Sequence, residues 1–138
     1  KHPDPPLLPA DAAARAWVRG LAFINIADSH PLIVPRIRHY LEDQLGLSEA
    51  QRLAWIKHWI AAGLEAMETL IGEHRESGRF CHGEAPSFAD IGLVTQVTPA
   101  RMFQCDLAPY PRVMRIYESA MALPAFAAAQ PARQPDAE

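Results

Sequence analysis

The sequence predicts an all-α protein, a bundle of about five or six helices. Alanine, the strongest helix former, supplies 24 of the 138 residues, whereas glycine supplies only 7. The 13 prolines fall mostly in clusters, and apolar residues between those clusters recur at three- and four-residue spacing. Helices separated by proline-marked turns are therefore expected.

The length fits one domain, which we place at residues 11–129. Residues 1–10 are rich in proline and predict an extended linker, and residues 130–138 predict an extended polar tail. A net charge of −3 disfavours nucleic-acid binding, and no apolar run reaches the roughly 18 residues that a membrane span needs. Two cysteines without a CxxC motif fit a reducing compartment, so we predict a cytoplasmic protein.

The first predicted helix covers residues 12–27, and Asp11 can act as its N-cap. Pro31 breaks this helix, because proline lacks the amide donor and clashes with the preceding turn. A second amphipathic stretch follows and ends at Gly46, a residue type that favours the end of a helix.

Two capping boxes mark the next two helices. Ser48–Gln51 opens the clearest helix, whose apolar positions continue to the region of Gly78. Ser87–Asp90 opens a stretch over 91–98 that is rich in β-branched residues, but the cap and the absence of any partner strand favour a buried helix. The last two helices are expected to open at prolines: Pro109 and Pro111 on either side of Tyr110 for the first, and Pro124 for the second.

Motifs that carry catalysis or bind a metal are scarce. The six histidines form no HExxH motif and no pairing with cysteine at zinc spacing, so we predict no metal site. We predict no catalytic residue in this chain, and Cys105 in particular has no acid–base partner at a recognisable spacing. The sequence also has no glycine-rich phosphate-binding loop.

Two groups of polar residues stand in otherwise apolar helices. Residues 28–30 and Arg36 flank the proline break, where a kinked helix can point side chains into a ligand cleft. The alternative is that the aspartate and serine close the helix while the histidine and Arg36 are solvated. Residues 95–98, which include Gln96, need partners or a wet cavity, unless they form local hydrogen bonds that relieve a kink at Pro99.

One segment and several shorter motifs resemble a known family. Phe80–Ile91 resembles the part of glutathione S-transferases in which a glycine, a few residues and S/T-x-A-D start the core helix of the C-terminal helical domain. Ser87 and Asp90 match its cap, and each uncapped amide inside the fold would cost roughly 1 kcal/mol or more. Finer motifs resemble the zeta class, which includes the maleylacetoacetate and maleylpyruvate isomerases: Leu7–Pro9, His30–Leu32, Cys105–Pro111 and Arg133–Asp136.

The resemblance implies a bundle like the C-terminal domain of glutathione S-transferases, with residues 11–129 as the substrate-binding domain. Residues 1–10 would then be the linker from an N-terminal thioredoxin-like domain that this chain lacks. Glutathione is the implied cofactor and is bound mainly by that first domain, so the chain alone is expected to be inactive. In the implied reaction, glutathione thiolate adds to a cis enone, the new single bond rotates, and elimination gives the trans isomer. A homodimer acting on a small electrophile, such as an unsaturated keto acid, is expected.

The resemblance also assigns roles to individual residues. His30 matches the residue that contacts glutathione near the helix break, and Gln96 matches the glutamine that begins the family's Q-x-x-N-A-x-R-F motif and is assigned to glutathione as well. Arg36 matches the arginine that faces the substrate pocket.

The chain departs from the family pattern at the substrate positions. Two amide residues of the family are Ile33 and Val34 here, the family asparagine is Pro99, and the family arginine before the final phenylalanine is Met102. Arg101 lies one position earlier, about 100° round a helix, so it need not reach the same carboxylate. We expect a more apolar pocket, and either weak isomerase activity or a different electrophilic substrate, because losing an arginine and an asparagine costs several kcal/mol in binding a dianion.

A second hypothesis comes from a different functional class: a non-catalytic interaction or assembly module with the same helical fold. The lost polar residues favour it, whereas the retention of His30, Arg36 and Gln96 favours the enzyme. The joint presence of the motifs disfavours an unrelated helical bundle.

Overall fold

The computed structural model describes residues 4–135, which form six α-helices and, within that range, no strand. The all-α prediction is confirmed. The helices have the following bounds: α1 Ala12–Phe23, α2 Pro35–Asp43, α3 Glu49–Glu73, α4 Phe88–Met102, α5 Pro111–Met121 and α6 Pro124–Ala128. Residues 1–3 of the predicted linker and 136–138 of the predicted tail lie outside the described residues. Within residues 4–135, no helix combines the length and the apolar character that crossing a bilayer requires.

The core lies where α1, α3, α4 and α5 pack together. Helix α4 is buried along most of its length, which confirms the buried helix predicted over 91–98. Its β-branched residues enter a helix because the capping box starts one and because apolar neighbours cover it. The following core side chains are fully buried: Leu21, Ile60, Leu64, Met67, Leu93, Val97 and Ile116.

Helix α1 ends earlier than the predicted residue 27. Residues Ile24–Ser29 widen into π-helical turns, and a 3-10 turn over His30–Leu32 follows. The backbone N–H of His30 donates to the carbonyl of Asn25, five residues back, instead of four. Pro31 has no N–H to continue the α pattern, so the predicted break is confirmed. Such π segments occur often at functional sites.

Helix α3 begins at the predicted capping box, in which the Ser48 N–H donates to the Gln51 side chain at 2.9 Å. It ends at Glu73, earlier than the predicted Gly78, because His74 leaves the helical conformation. The His74 ring stacks on Trp17 of α1, with 3.6 Å between ring centroids. The residue that follows the last turn of α3 is therefore packed on α1.

Helix α5 begins at Pro111, the second of the two prolines predicted to open it, but none of its own side chains caps it. A buried carboxylate of α3, Glu68, takes that place. It accepts hydrogen bonds from the backbone N–H of Val113 at 2.9 Å and of Arg112 at 3.2 Å. The Arg112 guanidinium also donates to it at 3.0 Å. Glu68 thus joins two core helices and satisfies amides that would otherwise be unpaired.

The prediction of an extended tail from residue 130 is wrong for the described residues. A 3-10 turn covers Pro131–Arg133. The side chain of Gln134 folds back and donates to the carbonyls of Ala128 at 3.0 Å and Gln130 at 3.1 Å. These bonds satisfy the carbonyls at the end of α6 and hold the chain against it.

Candidate functional site

The cap of α4 is a buried network around one carboxylate. Asp90 is fully buried and accepts hydrogen bonds from the Ser87 N–H and the Ser87 hydroxyl, each at 2.7 Å. Its other oxygen accepts from the N–H of Cys81 at 2.8 Å. Asp90 therefore fixes both the start of α4 and the irregular segment that precedes it.

The two polar groups predicted separately meet inside the bundle. The Asn25 amide in the π-helical stretch donates to the Thr95 hydroxyl of α4 at 2.7 Å. The Ser29 hydroxyl donates to the Gln96 Oε1 at 3.1 Å, and the Gln96 Nε2 donates to the carbonyl of Ile60 in α3 at 3.1 Å. These bonds tie the break at the end of α1 to both long helices.

Gln96 is fully buried, and both ends of its amide are engaged within the protein. Gln96 therefore holds the Ser29 hydroxyl from inside the bundle, and Ser29 directly precedes the exposed His30. Its predicted direct contact with glutathione stays a prediction.

Two candidate ligand-binding side chains at the helix break face solvent. His30 and Arg36 are exposed, and Val34 between them is half-buried at the N-cap of α2. Among the described residues, neither His30 nor Arg36 makes a side-chain hydrogen bond or an ion pair. An imidazole and a guanidinium without internal partners can both bind an anionic ligand.

The end of α4 lies beside α2. The guanidinium of Arg38 in α2 sits over the ring of Phe103, the residue after α4, at 5.8 Å from the ring centre. Met102 is 72% exposed, so an apolar side chain occupies the surface at this position. Arg101 turns towards α5, where its guanidinium lies 4.7 Å from the centre of the Tyr117 ring. Arg36, Val34 and Met102 thus belong to neighbouring segments, whereas Arg101 packs on α5.

Arg38 is not among the site residues that the sequence predicts. Its Nε is buried and has no hydrogen-bond partner within residues 4–135. Its place two residues after Arg36 on the same short helix is a sequence signal for Arg38. That α2 meets the end of α4 at this residue is shown only by the contact with Phe103.

Three comparisons relate this geometry to known proteins. No protein-family model matches the chain. A maleylpyruvate isomerase from a Ralstonia species is 45% identical over 136 residues, which cover 99% of this chain and 64% of that relative. A solved maleylpyruvate isomerase from Pseudomonas aeruginosa PAO1 is 42% identical with a TM-score of 0.93, over 99% of this chain and 71% of that one. A holo maleylpyruvate isomerase, described as a bacterial zeta-class glutathione S-transferase, is 44% identical with a TM-score of 0.96, over 99% of this chain and 65% of that one.

The chain belongs to the zeta class of glutathione S-transferases. The predicted resemblance is confirmed, and this zeta-class chain corresponds to the C-terminal helical region of the class. It spans 64% of the length of the Ralstonia relative.

The two cysteines of the zeta-class chain are free thiols. Burial raises the pKa of the Cys81 thiol well above its ordinary value, and the nearby Asp90 carboxylate raises it further. Burial also raises the pKa of Cys105, against a smaller opposing effect of Lys57. Neither thiol is therefore a ready thiolate near neutral pH.

Gly63 leaves room for the buried hydrogen bonds of the zeta-class chain. A Cβ there would lie 2.6 Å from the Gln96 Nε2 and 2.7 Å from the Ser29 hydroxyl. We expect Gly63→Ala to lower the free energy of unfolding by about 1–3 kcal/mol, because the side chains must shift. Gly20→Ala is the matched control, since nothing lies within 4 Å of its Cβ. Urea unfolding measures both variants. Gly20→Ala should stabilise the chain, because alanine favours a helix more than glycine does. Equal effects of the two changes would contradict the proposed crowding at Gly63.

Proposed function

We propose that this chain is the acceptor-substrate domain of a longer, glutathione-dependent cis–trans isomerase or transferase. Its substrates would be maleylpyruvate, maleylacetoacetate or a related small electrophile. The observation that carries the proposal is the 45% identity to a maleylpyruvate isomerase over 136 residues of this chain. Residues 1–10 would then link this domain to the thioredoxin-like domain that binds most of the glutathione.

The exposed groups at the helix break fit anionic ligands. Maleyl substrates and glutathione both carry carboxylates, and the Arg36 guanidinium can hold one by charge-assisted hydrogen bonds. The His30 imidazole can donate or accept a hydrogen bond beside it. When bound, glutathione supplies the thiol whose reversible addition turns the cis double bond into a rotatable single bond. The part played by this chain is to bind and orient the substrate during that rotation.

The buried polar bonds support this surface from within. Ser29 precedes His30 directly, and its hydroxyl is held by Gln96 at 3.1 Å. Gln96 is in turn anchored to the Ile60 carbonyl of α3. We assign Gln96 a positioning role, in which it fixes the turn that presents His30 and, through the short α2 connection, Arg36.

The substrate pocket is proposed to be more apolar than in other zeta-class enzymes. Val34 and Met102 stand where the class commonly has an amide and an arginine. In the full-length enzyme, we expect Val34→Asn combined with Met102→Arg to raise kcat/KM for maleylpyruvate at least about tenfold, because each new polar group can hold a substrate carboxylate. The measurement is steady-state turnover at saturating glutathione.

Met102→Leu is the matched control for this gain, because leucine keeps the position apolar at similar volume. Its kcat/KM should stay within about twofold of the native value, since no charged partner for the substrate is added. An unchanged kcat/KM in the double variant would contradict the proposed pocket.

A cytoplasmic homodimer completes the proposal. Several large apolar side chains of the described residues are exposed: Phe23, Ile26, Tyr40, Leu45 and Leu70. Surfaces of this kind are covered in many proteins by a second subunit or another domain. The two free cysteines fit a reducing compartment.

A further inference from the structure

A histidine–carboxylate cluster lies at the end of α3, away from the substrate-binding surface. His74 ends the helix, Glu76 lies in the turn after it, and His82 follows in the irregular segment before α4. The His74 Nε2 lies 3.0 Å from the His82 Nδ1, and the Glu76 Oε2 lies 3.4 Å from that same nitrogen. We propose that these three residues bind a divalent transition-metal ion of the zinc type. This proposal does not depend on the proposed enzymatic function.

The spacing of the three atoms is close to that of a metal site. In a tetrahedral zinc site with bonds of about 2.0–2.1 Å, two ligand atoms lie about 3.3 Å apart. The observed separations of 3.0 and 3.4 Å are near this value, and all three ligand atoms lie within 4.8 Å of one another. Small side-chain movements would therefore suffice, and water would take the fourth position.

The donor set indicates which ions fit. Two imidazole nitrogens and one carboxylate oxygen suit Zn²⁺, Co²⁺, Ni²⁺ and Cu²⁺, whereas Mg²⁺ and Ca²⁺ prefer oxygen ligands only. In the present hydrogen bond, one imidazole donates its N–H to the lone pair of the other. When a metal binds at both nitrogens, the donor imidazole moves its proton to its other ring nitrogen, with no change of oxidation state.

The site is ordered by contacts that do not involve a metal. Trp17 of α1 stacks on the His74 ring with 12° between the planes. The turn is closed by backbone bonds from the Ser77 N–H to the His74 carbonyl at 3.1 Å and from the Gly83 N–H to the Glu76 carbonyl at 2.7 Å. Because folding already orders these residues, metal binding would cost little further conformational entropy.

The cluster can be reached from solvent, and it lies far from the helix break. His82 lines a surface groove between residues 6–10 and residues 85–87. The helix break meets α3 at Trp55, whose indole donates to the Leu32 carbonyl at 2.9 Å. The 19 residues from Trp55 to His74 correspond to about 28 Å along a helix. A metal here would therefore join the end of α3 to the segment before α4, far from Arg36.

Binding of Zn²⁺ and Co²⁺ to the purified protein at its native length tests the proposal. We expect one Zn²⁺ per chain by calorimetry and visible absorption of bound Co²⁺ that Zn²⁺ abolishes. His74→Gln, His82→Gln and Glu76→Gln should each weaken Zn²⁺ binding at least about tenfold, because each removes one ligand. Glu76 is exposed, so its variant keeps the fold even where a histidine variant does not.

His58→Gln is the matched control, because His58 also lies against a tryptophan, Trp59, with 4.9 Å between ring centroids. It should bind Zn²⁺ as the native chain does.

Bound Cu²⁺ should quench the fluorescence of Trp17, and Trp17→Phe should retain Cu²⁺ binding while most of that quenching disappears. The proposal is overturned if the native protein shows no saturable Zn²⁺ binding, or if the Glu76 and His58 variants bind equally well.

Discussion

Asp90→Ala is expected to lower the free energy of unfolding by roughly 3–4 kcal/mol, a large part of the stability of a domain of this size. The carboxylate is fully buried and accepts from three donors: two of Ser87 and the N–H of Cys81. Alanine leaves all three donors buried without partners. The loss is smaller than the sum of three bonds, because the cost of burying the charge is also removed. Urea unfolding monitored by circular dichroism gives the measurement.

Asp106→Ala is the matched control for this change. Asp106 is exposed and accepts one hydrogen bond, from the Ala108 N–H at 3.0 Å. Its replacement should cost no more than about 1 kcal/mol, since water can satisfy the freed amide. Similar losses for the two alanine variants would contradict a special role for Asp90.

Glu68→Ala should cost about 2–3 kcal/mol, the second largest effect that we expect. The change removes the acceptor for the Val113 and Arg112 amides, so α5 loses its N-terminal cap. It also leaves the Arg112 guanidinium without its carboxylate partner. In the Glu68→Ala variant, the first turn of α5 should exchange its amide hydrogens faster than the rest of the core, because it has lost its cap. The remainder of α5 stays packed on α3 and α4.

Glu65→Ala tests whether the effect belongs to the cap. Glu65 is exposed on the same helix, three residues earlier, so both variants change helix propensity equally. We expect its cost to stay below about 0.5 kcal/mol. If it destabilises the chain as much as Glu68→Ala, the cap does not explain the loss.

The sequence allowed prediction of the elements whose start is determined locally. Asp11 caps α1 by accepting from the Ala14 N–H at 2.8 Å, and the capping boxes at Ser48 and Ser87 open α3 and α4. Each of these motifs places the interacting side chains within four residues of one another, so the pattern itself contains the interaction.

Interactions between residues far apart in the chain could not be predicted in this way. Glu68 meets Val113 across 45 positions, and Ser29 meets Gln96 across 67. One signal for Glu68 was available, because it follows Met67 and lies four positions after Leu64 on the buried face of α3. A charged residue on such a face needs a partner, but the sequence does not indicate which one.

The candidate site shows the same limit. The motifs predicted the break at Pro31 and the polar groups on both sides of it, but not that Gln96 would be engaged inside the bundle. His74, which ends α3 earlier than predicted, also stacks on Trp17, 57 positions away along the chain. The residues that determine these features come together only when the helices pack.

Turnover of maleylpyruvate by the full-length protein, measured with and without glutathione, tests whether this chain belongs to a glutathione-dependent isomerase. We expect isomerisation that requires glutathione. Arg36→Ala should raise KM for maleylpyruvate about tenfold and leave KM for glutathione unchanged, because one charge-assisted contact to the substrate is lost. Arg75→Ala changes the same charge at the far end of α3 and should have no effect. A folded full-length protein without glutathione-dependent turnover would contradict the enzyme proposal and favour an assembly module.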